Sequence, residues 1–369
     1  AYFNPGALGM TPHRTQLYFG STAVWPTTQY LAQWPSIYQA SSESVLQTPV
    51  NLYASWRPKL SSNWNRFSLG LSVNNPFVSS IRWPLDWRGR FIAQEFDLNT
   101  FFIQPTLSYR VSEQIGFGVG LVYGYGTLSS QRALQVDGQN GTVSSARFTA
   151  TGGGVGVNVG LYLKTDDNLT FGINWRSGPR LQMPGGDAQF QVPESLQESY
   201  PDMKLEAEVP LPWSLSVGMS LRPEERLLLT FQLDYTAWQA VDSLRIQLAQ
   251  PINGLDLYQD RNFSRGMNLR MGGEYVFNEW LKMRAGGYYD ASPVPQNHVS
   301  PEFPDANRIG LTAGIGLALG NKVQLDVAYQ FAFTGERTAF FEPAVFSGTY
   351  ETNTSALGLG LQVSLGKQK

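Results

Sequence analysis

The chain contains no cysteine and only two histidines, His13 and His298. The lack of cysteine excludes a disulfide framework, thiol catalysis and zinc sites with cysteine ligands. Neither histidine has a second ligand at the spacing of a metal site, so we expect no metal, no cofactor and no catalytic triad. These absences predict a protein that is not an enzyme.

Charged side chains are also scarce. They make up 15% of the residues, whereas ordinary soluble proteins contain about 25%. The formal net charge of −2 provides no basic surface for phosphates, so a nucleic-acid partner is not expected. The chain also lacks the run of roughly 18 apolar residues that a transmembrane helix requires. If the chain spans a membrane, it must do so with strands.

Glycine and aromatic residues, in contrast, are plentiful, with 37 Gly, 21 Phe, 17 Tyr and 10 Trp. Large apolar side chains alternate with small or polar ones along most of the chain, most clearly where Ile115, Phe117 and Val119 are separated by single glycines. A period of two residues is typical of β-strands. About fourteen segments show it, an even number as in bacterial barrels. The predicted strands are 15–25, 48–57, 65–76, 98–110, 115–121, 148–163, 169–176, 211–221, 226–240, 266–277, 280–290, 308–319, 323–333 and 355–366.

The connections between these segments alternate in length. Short turns are predicted at 59–63, 112–114, 165–168, 223–226, 278–279 and 320–321. Long loops are predicted at 27–46, 78–96, 129–147, 178–205, 242–264, 291–306 and 335–353. Short periplasmic turns and long extracellular loops are the arrangement of outer-membrane barrels. We therefore predict an all-β fold, a transmembrane antiparallel β-barrel of about fourteen strands that outer-membrane lipid surrounds.

Each predicted strand has one apolar face. The opposite face consists of Gly, Ser, Thr, Asn and Gln with few charges, which indicates that it lines a lumen. A soluble β-sandwich, the alternative, usually carries Lys and Glu on its outer face. Alternation directs Arg176, Arg270 and Arg284 inward, where they are candidates to bind a ligand carboxylate. The alternative is that they neutralise acidic side chains across the lumen. Those acidic residues are Asp234, Glu274 and Asp290.

Three predicted strands carry several glycines on the inner face. These are Gly116, Gly118 and Gly120, then Gly310, Gly314 and Gly316, then Gly358 and Gly360. Glycine in a strand marks a bend or the close approach of another group. Because a barrel of this size has a lumen too wide for its own side chains to fill, we expect an internal plug or a bound ligand there. The alternative is that glycine only eases the curvature of the barrel.

Several motifs point to a known family. Near its start the chain carries Asn4-Pro5-Gly6, and the third predicted strand ends in Asn74-Asn75-Pro76-Phe77. Further on, Arg284-Ala285-Gly286-Gly287-Tyr288-Tyr289-Asp290 precedes Ser292-Pro293-Val294-Pro295 and Phe303-Pro304-Asp305-Ala306. In these motifs, and over nearly its whole length, the sequence resembles the FadL/TodX family of outer-membrane transporters for long-chain fatty acids and other hydrophobic molecules.

The resemblance implies passive transport of a hydrophobic small molecule. Loops capture the molecule, the lumen binds it, and it leaves sideways through a gap in the wall. Asn4 and Pro5 would form the end of an N-terminal hatch, and the gap would be formed by Asn75, Pro76 and Phe77. The resemblance divides the chain into a remnant of the hatch at 1–14 and a barrel at 15–369.

Apolar residues of the fourth long loop are candidates for the capture surface. They are Leu181, Met183, Phe190 and Leu196. An alternative function is a FadL-like barrel that binds a protein partner in an outer-membrane secretion or envelope complex. A general polar porin is disfavoured, because a water-filled constriction normally carries rings of charge.

The sequence departs from the family pattern at both ends. It opens without the basic start and apolar run of a signal peptide, so we expect a processed or truncated chain, or one that is not exported. Gly6 stands where the family has alanine. The segment 362–369 lacks the terminal aromatic residue of the usual assembly signal.

Overall fold

The computed structural model describes residues 1–58, 64–136, 144–241, 243–252 and 258–367. These residues form one sheet of 21 strands. The strands are β1 (His13–Leu31), β2 (Gln39–Ser41), β3 (Val50–Trp56), β4 (Phe67–Asn74), β5 (Val78–Arg82), β6 (Glu95–Arg110), β7 (Ile115–Ala133), β8 (Ser145–Lys164), β9 (Leu169–Arg176), β10 (Arg180–Gln191), β11 (Met203–Pro210), β12 (Ser214–Glu224), β13 (Leu227–Thr236), β14 (Ser243–Leu248), β15 (Tyr258–Asp260), β16 (Gly266–Val276), β17 (Leu281–Asp290), β18 (Arg308–Leu319), β19 (Val323–Thr334), β20 (Arg337–Phe341) and β21 (Phe346–Lys367). Short 3₁₀ helices lie at Pro5–Met10, Trp64–Arg66, Glu194–Leu196, Trp238–Ala240, Gln296–His298 and Glu342–Ala344. None of the helices in these residues is long and apolar enough to span a membrane.

Fourteen of the strands close into an antiparallel barrel, which confirms the predicted fold class. They are β1, β3, β4, β6, β7, β8, β9, β12, β13, β16, β17, β18, β19 and β21. The last strand returns to the first, so that His13 lies opposite Lys367 and Leu31 lies opposite Thr349. The barrel therefore has no free edge along this seam.

Short turns and long connections alternate as predicted. Short turns join β6 to β7, β8 to β9, β12 to β13, β16 to β17 and β18 to β19. The turn predicted at 223–226 is shorter, because β12 continues to Glu224 and β13 begins at Leu227. The turn predicted at 59–63 lies outside the described residues, as do parts of the loops predicted at 129–147 and 242–264.

The remaining seven strands extend the barrel wall at the end where the long loops lie. β5 pairs with β6, β10 pairs with β8 and β20 pairs with β21. β2 pairs with β1. β11 pairs with β10 and with β14, and β14 pairs in turn with β15. The sequence placed these segments in loops, because each is short or lies outside a regular alternation.

Apolar side chains cover the outer face of the barrel. Leu311, Leu359 and Met271 are 60%, 56% and 54% exposed. Trp56 and Trp280 are also exposed, and they lie beside the short turns, where barrels carry an aromatic girdle. Contact of such a band with lipid rather than water is favourable, so this surface is the one that faces the membrane.

A buried aromatic cluster lies inside this extended part of the wall. The rings of Trp83 and Trp87 stack with their centres 4.3 Å apart, and Tyr30 meets Trp87 edge-on at 5.6 Å. Both buried indole nitrogens donate hydrogen bonds, to the carbonyl oxygens of Pro301 and Ala93 at 3.0 and 2.7 Å. Because no polar atom of these indoles is left unsatisfied, the cluster holds the loop between β5 and β6 against the inner side of the wall.

Residues 1–12 lie inside the lumen, and we call them the plug segment. Asn4 caps the helix Pro5–Met10, because its Oδ1 accepts a hydrogen bond from the Gly6 amide at 2.8 Å. The helix contacts β6, β7 and β8. β1 begins at His13, within the range 1–14 that the sequence analysis assigned to a hatch.

Candidate ligand cavity and wall opening

Glycines on the inner wall make room for the plug segment. A Cβ atom at Gly118 would lie 2.4 Å from the carbonyl carbon of Pro5, and one at Gly160 would lie 2.2 Å from Asn4 Oδ1. Neither position can therefore carry a side chain unless the plug segment moves. Asn4 Nδ2 also donates to the Leu161 carbonyl at 2.9 Å, so the plug segment is both packed and hydrogen-bonded against β8.

Polar side chains of the wall hold the backbone of the plug segment. Buried Arg57 donates from Nη2 to the Gly9 carbonyl. Arg176 donates from Nη2 to the Tyr2 carbonyl at 2.6 Å, and its guanidinium lies 3.7 Å from the centre of the Tyr2 ring. Asn158 donates to the same carbonyl at 2.8 Å. Arg176 thus points into the lumen but is engaged by the plug segment, and ligand binding by it stays a prediction.

A cavity of about 1370 Å³ lies between the plug segment and the loops. Small-molecule sites usually enclose about 300–1,000 Å³, so this space accommodates one long lipid or several smaller molecules. Its lining reaches from Asn4 to Pro76 and Phe77 in the wall. One part of the lining is charged and the other is aromatic.

The charged part contains both signs in equal number among the described residues. Its arginines are Arg176, Arg261, Arg270, Arg284 and Arg308. Its carboxylates are Asp234, Glu274, Asp290, Glu302 and Asp305. Arg270 Nε lies 3.3 Å from Asp234 Oδ2, and Arg284 pairs with Glu274 at 2.8 Å and with Asp326 at 2.6 Å. The predicted lumen arginines Arg270 and Arg284 therefore lie beside carboxylates, and their binding of a ligand stays a prediction.

The aromatic part is a continuous chain of six rings. In order they are Phe102, Phe77, Trp238, Phe263, Phe303 and Phe96. Neighbouring ring centres are 4.7 to 6.2 Å apart, and most pairs meet edge to face, the geometry that aromatic rings prefer. Of these rings, the sequence predicted a site role for Phe77 alone. Trp238 was expected within a strand at 226–240, but the strand ends at Thr236, and Phe263 and Phe303 lie in connections where no alternation indicates the direction of the side chains.

The wall is interrupted beside this aromatic chain. β4 ends at Asn74, and Pro76 has no N–H to donate to a neighbouring strand. The Asn75 side chain reaches both neighbours instead. Its Oδ1 accepts from the Val50 amide at 3.0 Å, and its Nδ2 donates to the Thr100 carbonyl at 3.2 Å. A side-chain amide thus replaces backbone pairing toward β3, whereas toward β6 the Phe77 carbonyl still accepts a hydrogen bond from the Thr100 amide at 3.0 Å.

Beyond Asn75 the two sides of the wall separate. β5 pairs with β6 but not with the segment before β3, on its other side. In the described residues, one backbone hydrogen bond joins that segment to β5, from the Glu43 amide to the Arg82 carbonyl at 2.8 Å. Gln47 Nε2 lies 3.5 Å from the Ser80 carbonyl. We call the interrupted stretch between Asn75 and Arg82 the wall opening.

The four residues predicted as a capture surface are not strongly exposed. Leu181 and Met183 are 0% and 1% exposed on β10, because β10 is a strand that turns both side chains inward. Phe190 packs against Phe148 with ring centres 6.2 Å apart, and Leu196 is half-buried. The expected placement of these four residues on an exposed loop surface is therefore wrong. Ligand binding by them stays a prediction.

A buried ion pair joins two loops that cover the aromatic chain. Arg261 Nη2 lies 2.7 Å from Glu302 Oε2, and the two side chains are 4% and 6% exposed. The Arg261 guanidinium also lies 4.6 Å from the Phe303 ring centre. Arg337 donates to the Asp305 carbonyl at 2.8 Å, and burial lowers the pKa of Arg337 from its ordinary value. We call the loop segments 261–264 and 293–306 the lid.

The sequence matches a family over almost its whole length. Residues 2–365 match the family described as "Outer membrane protein transport protein (OMPP1/FadL/TodX)". The long-chain fatty acid transport protein of Escherichia coli O6:H1 is 22% identical over 75% of this chain and 68% of its own length. Outer membrane protein P1 of Haemophilus influenzae is 20% identical over 79% of this chain and 68% of its own length. The chain thus spans about two thirds of the length of these relatives.

Solved structures share the fold. A FadL homologue of Pseudomonas aeruginosa superposes with a TM-score of 0.82 at 18% identity, covering 98% of this chain and 92% of the other. The toluene transporter TodX of P. putida superposes with a TM-score of 0.69 at 15% identity, covering 100% and 93%. The predicted location in the outer membrane and the prediction that the protein is not an enzyme are confirmed by the family. Because the match runs from residue 2 to residue 365, the chain belongs to the OMPP1/FadL/TodX family of outer-membrane transport proteins.

Proposed function

We propose that this chain carries hydrophobic small molecules passively across the outer membrane, through capture at the loops, binding in the cavity and sideways exit through the wall opening. One observation carries the proposal. The cavity lining continues from the aromatic chain to Pro76 and Phe77, where the wall loses its regular backbone pairing on the side of β3. Two similar proteins are named a long-chain fatty acid transport protein and a toluene transporter, and both of those ligands are hydrophobic.

Sideways exit has a physical reason. The plug segment is packed inside the lumen against β7 and β8, and we infer that it obstructs the straight path to the periplasm. A ligand that left by that path would expose its apolar surface to water, at a cost of about 0.8 kcal/mol for each CH₂ group. The wall opening begins at Asn75, directly after the barrel strand β4, so passage at this end would lead into the hydrocarbon of the membrane and keep the ligand in apolar surroundings.

A cross-link over the wall opening tests the exit route. The chain has no cysteine, so Gln47→Cys combined with Ser80→Cys introduces a single pair. We expect oxidation of this variant to reduce uptake of a labelled hydrophobic compound into proteoliposomes to the background of protein-free vesicles, because the exit is closed. A reductant should restore uptake.

A second cysteine pair provides the matched control. Thr170 and Ser220 lie opposite each other on β9 and β12, and their hydroxyl groups are hydrogen-bonded across an intact part of the wall. Oxidised Thr170→Cys with Ser220→Cys should transport normally. Full cross-linking of the first pair with undiminished uptake would contradict sideways exit. An equal loss of uptake in both oxidised variants would show that cross-linking itself is harmful.

The capture surface is better placed at the tips of two hairpins. Trp34 and Ile37, between β1 and β2, are both 88% exposed, and Val345, between β20 and β21, is 80% exposed. The hairpins are neighbours, because Leu31 on β1 lies opposite Thr349 on β21. Exposed apolar side chains that group into a patch mark an interaction site, unlike scattered single ones, so we infer that the two hairpin tips form the capture surface.

Removing this surface should weaken capture. Partial burial of one such side chain against a ligand is worth about 1 kcal/mol, so Trp34→Ser with Ile37→Ser should reduce uptake about fivefold or more at limiting ligand. At saturating ligand we expect normal uptake. Val111→Ser, which changes an exposed residue in a short turn on the opposite side, is the control. Equal uptake by all three proteins at limiting ligand would remove these residues from the capture step.

A further inference from the structure

We propose that the cavity selects uncharged molecules that contain aromatic rings and discriminates against long-chain carboxylates. This inference rests on the proposed transport of hydrophobic molecules and adds the chemical class of the preferred ligand. Two independent observations carry it, the aromatic chain on one side of the cavity and the charge balance of the rest of the lining.

Three rings of the aromatic chain, those of Phe77, Trp238 and Phe303, are only partly buried and line the cavity. The other three are buried and pack against them, namely Phe102, Phe263 and Phe96. Phe77 contacts Phe102 at 6.0 Å and Trp238 at 6.0 Å, and Phe303 contacts Phe263 at 6.2 Å and Phe96 at 4.7 Å. Aromatic rings carry a negative face and a positive edge, so they attract other rings beyond the effect of buried area alone. An alkyl chain has no such charge pattern and gains only the hydrophobic contact.

The order of the rings in the aromatic chain places them along the proposed route from the lid to the wall opening. Phe303 belongs to the lid, and Phe77 directly follows Pro76 at the wall opening. A ring-containing ligand can therefore exchange one aromatic partner for the next between the lid and the exit. Because each partner resembles the last, no single position binds so tightly that it would retain the ligand.

The charged part of the lining does not favour a carboxylate. Its five arginines are matched by five carboxylates among the described residues. The guanidinium nearest to the aromatic rings, that of Arg261, is already paired with buried Glu302 at 2.7 Å. An incoming carboxylate would displace one of these partners and leave a carboxylate unpaired in a partly dry cavity, which is costly. An uncharged ligand avoids this competition.

Binding of ethylbenzene and oleate to the full chain in lipid nanodiscs tests the inference. We expect the unaltered protein to bind ethylbenzene more tightly than oleate relative to their partitioning into protein-free nanodiscs. Trp238→Leu with Phe263→Leu removes two rings and keeps the cavity apolar. It should weaken ethylbenzene binding about twofold to tenfold for each lost ring contact, with oleate binding unchanged or tighter. Phe331→Leu, on the outer face of β19, is the matched control and should change neither.

A second variant tests the charge balance without altering the rings. Asp234→Asn removes the partner of Arg270 and gives the lining an excess positive charge, so oleate binding should become tighter while ethylbenzene binding stays the same. Tighter binding of oleate by the unaltered protein, or equal weakening of both ligands in the ring variant, would overturn the inference. Oleate uptake into proteoliposomes without ethylbenzene uptake would also overturn it and leave the transport proposal standing. Uptake of neither compound would overturn both.

Discussion

Gly118→Ala is expected to release the plug segment and open the barrel to ions. The new Cβ would lie 2.4 Å from both the carbonyl carbon and the carbonyl oxygen of Pro5, and backbone atoms cannot rotate away as a side chain can. Overpacking of this kind costs about 1–3 kcal/mol, which would raise the released population about fivefold to more than a hundredfold. Single-channel conductance in planar bilayers measures the open fraction, and hydrogen exchange of residues 1–12 measures the release.

Gly358→Ala is the control for this substitution. Gly358 also faces the lumen, but its Cβ would lie 3.4 Å from Thr22 Oγ1, which is ordinary contact, and the plug segment is elsewhere. We expect it to conduct like the unaltered protein. Conductance and exchange that stay low in Gly118→Ala would mean that the barrel wall, rather than the plug segment, moves to accept the methyl group.

Arg261→Leu is expected to destabilise the lid by about 3–5 kcal/mol, because removal of one partner leaves a buried charge unpaired. Glu302 would keep its 6% exposure without the guanidinium that compensates it. Hydrogen exchange over 293–306 should then accelerate, whereas exchange in the barrel strands should stay slow. The measurement concerns local opening, so the barrel itself is expected to remain folded.

The double substitution Arg261→Leu with Glu302→Leu separates the ion pair from the packing around it. Replacing both charges with apolar side chains of similar size removes the unpaired carboxylate and is often neutral or stabilising. We therefore expect exchange in the lid to return close to its original rate. Equally fast exchange in the single and double variants would show that the contact of Arg261 with Phe303, and not the charge pair, holds the lid.

The barrel strands could be predicted from the sequence because each crosses the membrane with one apolar face. Lipid on one side and a lumen on the other impose a period of two on segments such as 115–121 and 323–333. Above the membrane this constraint ends. In β10, for example, the register against β11 shifts between Met183 and Gly186, so the alternation is broken and Leu181 was placed on a loop surface although it is fully buried.

The cavity could be predicted only in part for the same reason. The alternation of apolar and polar residues predicted that the side chains of Arg176 and Arg270 point into the lumen, since both residues lie on barrel strands. It could not reveal that Arg176 contacts Tyr2. The glycines illustrate a second limit. Gly118 makes room for the plug segment, whereas Gly310 lies against the ring of Tyr288, and a sequence pattern alone does not distinguish these causes.

The pairing of β1 with β21 has a consequence for how the molecule assembles. Leu31 meets Thr349 and His13 meets Lys367, so this seam joins residues at opposite ends of the sequence. Contacts between distant residues form late and slowly, because the entropy of closing the intervening chain must be lost before they are made. Until then β1 and β21 present unpaired amide and carbonyl groups that can associate with other chains. Closure of this seam is therefore the step at which aggregation and correct folding compete.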